Sequence, residues 1–241
     1  MKKKHFIGCS GYYYPAWKNK FYPEGLKPKD WLAYYSTVFN TVELNGTFYR
    51  TPKLADLQKY NAVTPADFRF SVKMSKQITH ILKLKESGTL ITEFQALIRE
   101  GLQEKCMHFL FQLPPSFHYS EENLNLVLGM IPHLPENVVE FRHISWWNPT
   151  VQQKMKDANI TFCNVDFPGM ETFFMHTSES FYLRLHGNPV LFKSSYETAQ
   201  LEKFYGEIPN DSKDNCIYFN NTYFEAGYEN AMQMQKIADR S

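Results

Sequence analysis

Three pairs of polar residues stand two apart near the ends of apolar, strand-like runs: Glu43 and Asn45 in TVELN, Glu140 and Arg142 in VVEFRH, and Arg184 and His186 in SFYLRLHG. Side chains alternate along a strand, so each pair shares a face. Further polar residues close other runs: Lys73 in FRFSVKM, Gln112 in CMHFLFQL, Asp166 in ITFCNVD, and Asn220 with Asn221 in NCIYFNN. Carboxylates and a histidine gathered among cations suit proton transfer, because burial and charge set their pKa values apart. Glu43, Glu140, Asp166 and His186 are therefore the catalytic candidates. Lys73, Arg142 and Arg184 suit phosphate or carboxylate oxygens, the arginines bidentately. Asn45, Gln112 and Asn220 are placed to orient a ligand. A single charge at a strand tip is ordinarily a solvated end or a structural ion pair. Recurrence from the second run to the eighth is what points to a shared pocket.

The elements that must position these residues alternate along the whole chain. Eight strand-like runs, at 5–10, 41–45, 68–74, 106–113, 138–143, 160–166, 180–187 and 215–221, are separated by helical segments such as LADLQKYNAV and GTLITEFQALIREGLQ. In the latter, Leu90, Phe94, Leu97 and Ile98 recur at spacings of three and four, the stripe of a half-buried helix. Only the link between the sixth and seventh runs lacks a helical pattern. Eight such units predict a parallel (β/α)8 TIM-type barrel, as a single domain over residues 1–241, with the polar ends converging at its C-terminal mouth. An open doubly wound sheet is the alternative, although GCSGYYYP rather than GxGxxG follows the first run. Asn45-Gly46 also permits a local hairpin, which would leave Glu43 exposed.

The 241 residues are 43% apolar and 16% aromatic, and 26 Lys plus Arg nearly balance 25 Asp plus Glu. Near-neutrality removes the simplest argument for a nucleic-acid or membrane-surface protein. The start, MKKKHFIGCSGYYYPAW, has too short an apolar run for a signal-peptide core, and no stretch is long enough to span a bilayer. Cys9, Cys106, Cys163 and Cys216 have no paired spacing, as expected of reduced thiols in a cytoplasmic protein. His80 and His143 are lone histidines, and Trp146 and Trp147 suit either a pocket cap or a barrel rim. The first loop, residues 11–29, interleaves aromatics with Lys18, Lys20, Lys27 and Lys29. That mixture suits stacking beside an anionic group or a packed lid equally.

The runs VELNGTFYR, FSVKMSKQITH, QLPPSF, EFRHISWW, VDFPG, YLRLHG and YFNN resemble, in order, the motifs of the YecE-like proteins, also called domain of unknown function 72. The resemblance extends from Gly8 to the last helix. It implies a TIM-type barrel with a polar cluster at the strand ends, and it supplies no reaction. Glu43, Asn45, Phe48 and Tyr49 match its second-strand signature, Lys73, Thr79 and His80 its third, and Gln112, Pro114 and Pro115 its fourth. Glu140, Arg142 and Trp146 match the fifth, Asp166 the sixth, Arg184, His186 and Gly187 the seventh, and Asn220 with Asn221 the eighth. Where the family usually carries a basic residue after His186-Gly187, this chain has Asn188-Pro189.

The leading expectation is an enzyme that binds a small anionic ligand and uses acid-base chemistry. No cofactor or metal is expected, because Lys73, Arg142 and Arg184 already balance the carboxylates. A metal-dependent phosphodiester hydrolase using Glu43, Glu140, Asp166 and His186 as ligands, and a non-catalytic binding protein, are the alternatives. A nucleic-acid partner is less favoured than a small anion, and a membrane partner is not expected.

Overall fold

The computed structural model describes residues 4–240, so Lys2 and Lys3 of the basic start lie outside the described residues. Eight parallel strands surround one axis: β1 (Lys4–Cys9), β2 (Thr41–Leu44), β3 (Arg69–Lys73), β4 (Cys106–Gln112), β5 (Asn137–Glu140), β6 (Thr161–Asp166), β7 (Ser180–Leu185) and β8 (Asp214–Phe219). They are covered by α1 (Trp31–Val38), α2 (Leu54–Val63), α3 (Gly88–Leu102), α4 (Glu121–Met130), α5 (Pro149–Asp157), α6 (Thr198–Gly206) and α7 (Ala226–Ala238). The strand order β1-β8-β7-β6-β5-β4-β3-β2 is that of a (β/α)8 TIM-type barrel rather than a doubly wound sheet. Among the described residues the β6–β7 connection carries no α-helix.

The seam between β1 and β2 is closed by side chains. The Tyr35 hydroxyl accepts from Cys9 N at 2.7 Å and donates to the Thr41 carbonyl at 3.1 Å. Asn40 accepts from Ile7 N at 3.2 Å and donates to the His5 carbonyl at 2.7 Å. A Cβ on Gly8 would stand 2.2 Å from the Thr41 carbonyl oxygen, so this approach of the strands requires glycine.

Seven of the eight strands end one to three residues before their sequence runs do, and at β2 and β5 this changes where a site residue lies. β2 stops at Leu44, and Asn45 turns to φ −95°, ψ −19° to start a short 3-10 turn over Gly46–Phe48. Since β2 pairs with β3 in parallel, the hairpin reading is also excluded. β5 stops at Glu140, leaving Arg142 on the loop beyond. In α3 the buried stripe is Ile91, Phe94, Gln95 and Ile98, whereas Leu90 is exposed. The helix is rotated by about one residue from the expected stripe, a turn that spacing alone does not fix.

Several aromatics of the first loop are committed to packing. Trp17 and Tyr22 are fully buried, Tyr22 stacks on Trp31 at 4.6 Å, and Trp17 meets Tyr228 of α7 at 5.2 Å. Lys20 pairs with Glu225, which ties this loop to the start of α7.

Candidate active site

The barrel interior is polar well below its mouth. The Tyr218 hydroxyl lies 2.7 Å from Thr41 Oγ1 and 2.8 Å from Ser71 Oγ, and the Tyr182 hydroxyl donates to Glu43 Oε2 at 2.7 Å. Above them Arg184 forms an ionic junction. Its Nε and Nη2 both donate to Glu43 Oε1, at 3.1 and 2.7 Å, and its Nη1 donates to Glu140 Oε2. Glu43 and Glu140 are 0% exposed and Arg184 is 1% exposed, so desolvation must be offset by this mutual pairing together with the hydrogen bond from Tyr182. Burial lowers the basicity of Arg184, but Glu140 and Glu43 outweigh it and raise its pKa well above the ordinary value.

Glu140 has a second cation in Arg142, whose Nε pairs with Oε1 and whose guanidinium lies 4.5 Å from the Phe167 ring centroid. Burial alone would push the Glu140 carboxyl up, but Arg142 and Arg184 hold it well below the carboxylate range. Arg142 itself is lowered, because burial and the nearby Arg184 exceed the pull of Glu140. His186 Nε2 lies 3.5 Å from Glu140 Oε1. The Asn220 side-chain amide donates to His186 Nδ1 at 2.9 Å, which leaves the ring proton on Nε2. Burial and Arg142 lower the His186 pKa to about 3, so this ring is neutral at pH 7. Among the described residues Glu140 Oε1, Arg142 Nε and His186 Nε2 meet without an aligned hydrogen bond. Asn45 Oδ1 is likewise buried without a partner. Such atoms are costly in a finished core, at about 1–3 kcal/mol each.

A cleft of about 860 Å³ opens over this junction. Its surface includes Arg142 and Arg184, while Glu43, Glu140 and His186 lie fully buried behind them. Asn45, Tyr49, Lys73, Gln112 and Asn220 line it as the sequence suggests, with Tyr49 at the rim and 82% exposed. Lys73 Nζ sits 4.2 Å from the centroid of Phe48. Burial, then the nearby Arg184, lower its pKa to about 8 against the opposing pull of Glu140 and Glu43. His80 packs edge-on against the same Phe48 at 4.8 Å, and burial with the Lys73 charge lowers its pKa to about 4. Lys76, also on the cleft wall, is exposed. A second cleft of about 490 Å³ adjoins the first and shares Tyr14 and Asn45 with it.

Two of the expected residues stand elsewhere. Asp166 has the parity of Phe162, which packs on Trp147, and of Asn164, which binds the Met175 backbone; all three point away from the axis. Asp166 accepts from the Tyr196 hydroxyl at 2.6 Å and from Asn188 at 3.1 Å, so it anchors the β7–α6 loop. The expectation that it shares the cavity is corrected, since one step along a strand reverses the face. Asn221 donates to the Ser194 carbonyl and to Asn230, which places it in the same outer layer. The four ligands needed by the metal-hydrolase alternative are therefore not gathered. Among the described residues no group of three His, Cys, Asp or Glu side chains has the geometry to hold a metal ion.

Tyr182, Ser10, Lys76 and Tyr14 join the site without having been singled out. Tyr182 was legible, because it precedes Arg184 and His186 at the same two-residue spacing. Ser10, at 3.4 Å from Arg184 Nη2, and Tyr14, which donates to the Ser10 carbonyl at 2.5 Å, depend on the path of the first loop.

Comparison with known proteins agrees with this architecture. The family model "Protein of unknown function DUF72" matches residues 6–241. UPF0759 protein YunF of Bacillus subtilis (strain 168) is 25% identical over 97% of this chain and 94% of its own length. UPF0759 protein YecE of Escherichia coli (strain K12) is 30% identical over a stretch covering 46% of this chain and 38% of YecE. A crystal structure of a DUF72 family protein from Thermotoga maritima MSB8 superposes with a TM-score of 0.86 at 29% identity, covering 98% of this chain and 99% of the other. A DUF72 family protein from Enterococcus faecalis V583, 21% identical, shares the fold at a TM-score of 0.81, over 99% of this chain and 96% of its own. A family match over nearly all residues, the order of the eight strands and the polar mouth together show that the chain belongs to the DUF72 family of TIM-barrel proteins.

Proposed function

We propose that the protein is an enzyme that binds a small anionic ligand, bearing a phosphate or a carboxylate, at the C-terminal mouth and acts on it by acid-base chemistry. The observation that carries this reading is a surplus of cations. Arg184 is consumed by Glu43 and Glu140, whereas Lys73 and Lys76 line the cleft with no ion pair among the described residues. Arg142 commits its Nε to Glu140 and keeps two Nη groups with no hydrogen bond among those residues. An incoming anion therefore meets Arg142, Lys76 and Lys73, and Arg184 acts as the junction that fixes the floor. On the cleft surface Lys73 has its pKa lowered to about 8 by burial and Arg184, a shift that Glu140 and Glu43 oppose. Neutral His186 orients Glu140 through Nε2. Asn45, Gln112 and Asn220 offer neutral contacts to the rest of the ligand.

Inorganic phosphate tests this directly, since a ligand that binds only the folded state stabilises it by RT ln(1 + [L]/Kd). The melting temperature is expected to rise with phosphate beyond the rise in chloride of matched ionic strength. The excess is expected to disappear in Arg142→Ala and to shrink in Lys76→Ala. An equal response in wild type and Arg142→Ala would mean that the mouth is an internally neutralised network with no anion site. Mass spectrometry of small molecules released from the natively purified protein would identify the ligand class.

A further inference from the structure

Lys73 differs from the other cations of the mouth. It ends β3 inside the cleft, its Nζ lies over the face of Phe48 at 4.2 Å, and no carboxylate reaches it among the described residues. Arg184 and Arg142 stand close enough to disfavour its charge. A lysine flanked by an apolar wall and by cations is the arrangement that yields a free amine at neutral pH. With a pKa of about 8, roughly a tenth of the chains carry neutral Lys73 at pH 7, about two hundredfold more than for an ordinary lysine.

His80 supplies a second neutral group beside it. The Thr79 hydroxyl donates its proton to the Ser75 carbonyl at 3.1 Å, so it can only accept from His80 Nδ1 at 3.0 Å. The lone pair of the ring is therefore on Nε2. His80 and Lys73 both pack on the Phe48 ring, line one cleft and interact electrostatically, so an imidazole able to take and return a proton stands in the same cleft as the amine.

We propose that Lys73 is an amine nucleophile that forms a Schiff base with a small carbonyl compound whose phosphate or carboxylate is held by Lys76 and Arg142; this rests on the anion-binding reading above. The Nζ lone pair adds to the carbonyl carbon and the C=O π pair moves to oxygen, which takes up a proton from solvent. Nζ then loses a proton to His80 Nε2, giving a neutral carbinolamine. That proton returns to the hydroxyl, which leaves as water while the nitrogen pair forms C=N. The balance is amine plus carbonyl plus one solvent proton to iminium plus water, with no oxidant or reductant. The resulting iminium is an electron sink for proton removal or carbon–carbon cleavage at the adjacent carbon. Asn45 and Gln112 line the same cleft as contacts for hydroxyl groups on such a substrate.

The test is reductive trapping. Protein is incubated with dihydroxyacetone phosphate, pyruvate or glycolaldehyde phosphate, reduced with sodium borohydride, and mapped by peptide mass spectrometry. The expected result is a reduced adduct at Lys73 with at least one probe, formed on the order of tenfold or more faster than at exposed Lys18. Lys73→Arg is expected to lose it; Lys73→Met serves if the arginine variant does not fold. Lys76→Ala is expected to weaken trapping of the phosphorylated probes and to leave uncharged dihydroxyacetone unaffected. If phosphate still stabilises the protein but none of the three probes gives an adduct at Lys73, or adducts are spread evenly over exposed lysines, the amine role is overturned and the anion site stands. Loss of both responses overturns both readings.

Discussion

Arg184 Nε and Nη2 converge on a single oxygen of Glu43, at 3.1 and 2.7 Å, so a guanidinium from β7 reaches a carboxylate from β2 through the barrel interior. Because the same guanidinium also binds Glu140 of β5, one side chain ties three strands together. A barrel core is ordinarily filled by apolar layers. Here the upper layer is ionic, and its stability depends on every member being present.

Removing Arg184 leaves two buried carboxylates with a single arginine between them. Arg184→Met is expected to cost about 3–5 kcal/mol, the usual penalty for breaking a buried pair. Urea unfolding would show this as a lowered midpoint with an unchanged slope. The double variant Arg184→Met/Glu43→Gln is expected to recover part of the loss, and simple additivity would mean that the two residues do not interact.

The acid limb of stability should carry the signature of Glu140. Its folded pKa is depressed below the unfolded value near 4.3, so its contribution is fully present above that value and is lost as pH falls towards the folded pKa. Subtracting the unfolding free energy of Glu140→Gln from that of wild type should give a difference that is flat from pH 5 to 7 and shrinks below about pH 4. A difference that grew on acidification would contradict the pairing of Glu140 with Arg142 and Arg184.

The barrel was legible because eight strand-like runs alternate with helices at all but one connection, and each strand needed only to be found, not placed. The site was legible where polar residues at strand ends kept one parity: Glu43, Glu140, Arg184 and His186 were expected to converge, and they meet around Arg184 and Glu140. It was less legible at Asp166, because which parity of β6 faces the axis shows only once Phe162 and Asn164 are seen to point outward. Arg142 shows the opposite case. β5 ends before it, yet pairing with Glu140 brings it into the mouth. Which cations remain available to a ligand could not be read from the sequence at all, because it depends on how two carboxylates are shared among several basic groups in three dimensions.

Asp166 should behave as a loop anchor. Asp166→Asn weakens its bonds to Tyr196 and Asn188, and a bond to a charged group is worth about 1.5–3 kcal/mol. Faster amide exchange over residues 187–197 is expected, with phosphate stabilisation retained. Loss of the phosphate response without faster exchange in that loop would place Asp166 in the ligand site instead.

The last expectation concerns the basic limb. Burial and Arg184, with Arg142 adding to them, depress the pKa of Lys73 to about 8, whereas Glu140 and Glu43 oppose the shift. Lys76 and His80, from the loop after β3, share its wall of the cleft. In the unfolded chain the same amine titrates near 10.4. Between those values the unfolded state holds a proton that the folded state has released, so this group makes stability rise with pH across that window. Below about pH 8 the amine is charged in both states and its burial penalty is felt in full. Lys73→Met removes the titration, so wild type should gain on the variant between about pH 8 and 10.4 and stay level with it outside those limits. Competitive acetylation followed by peptide mapping gives an independent reading at the residue itself. Reactivity of Lys73 should reach half its plateau near pH 8, well below the 10.4 of a lysine in an unfolded chain. A Lys73 profile that coincided with that of Lys18 would remove both the neutral amine and the chemistry proposed for it.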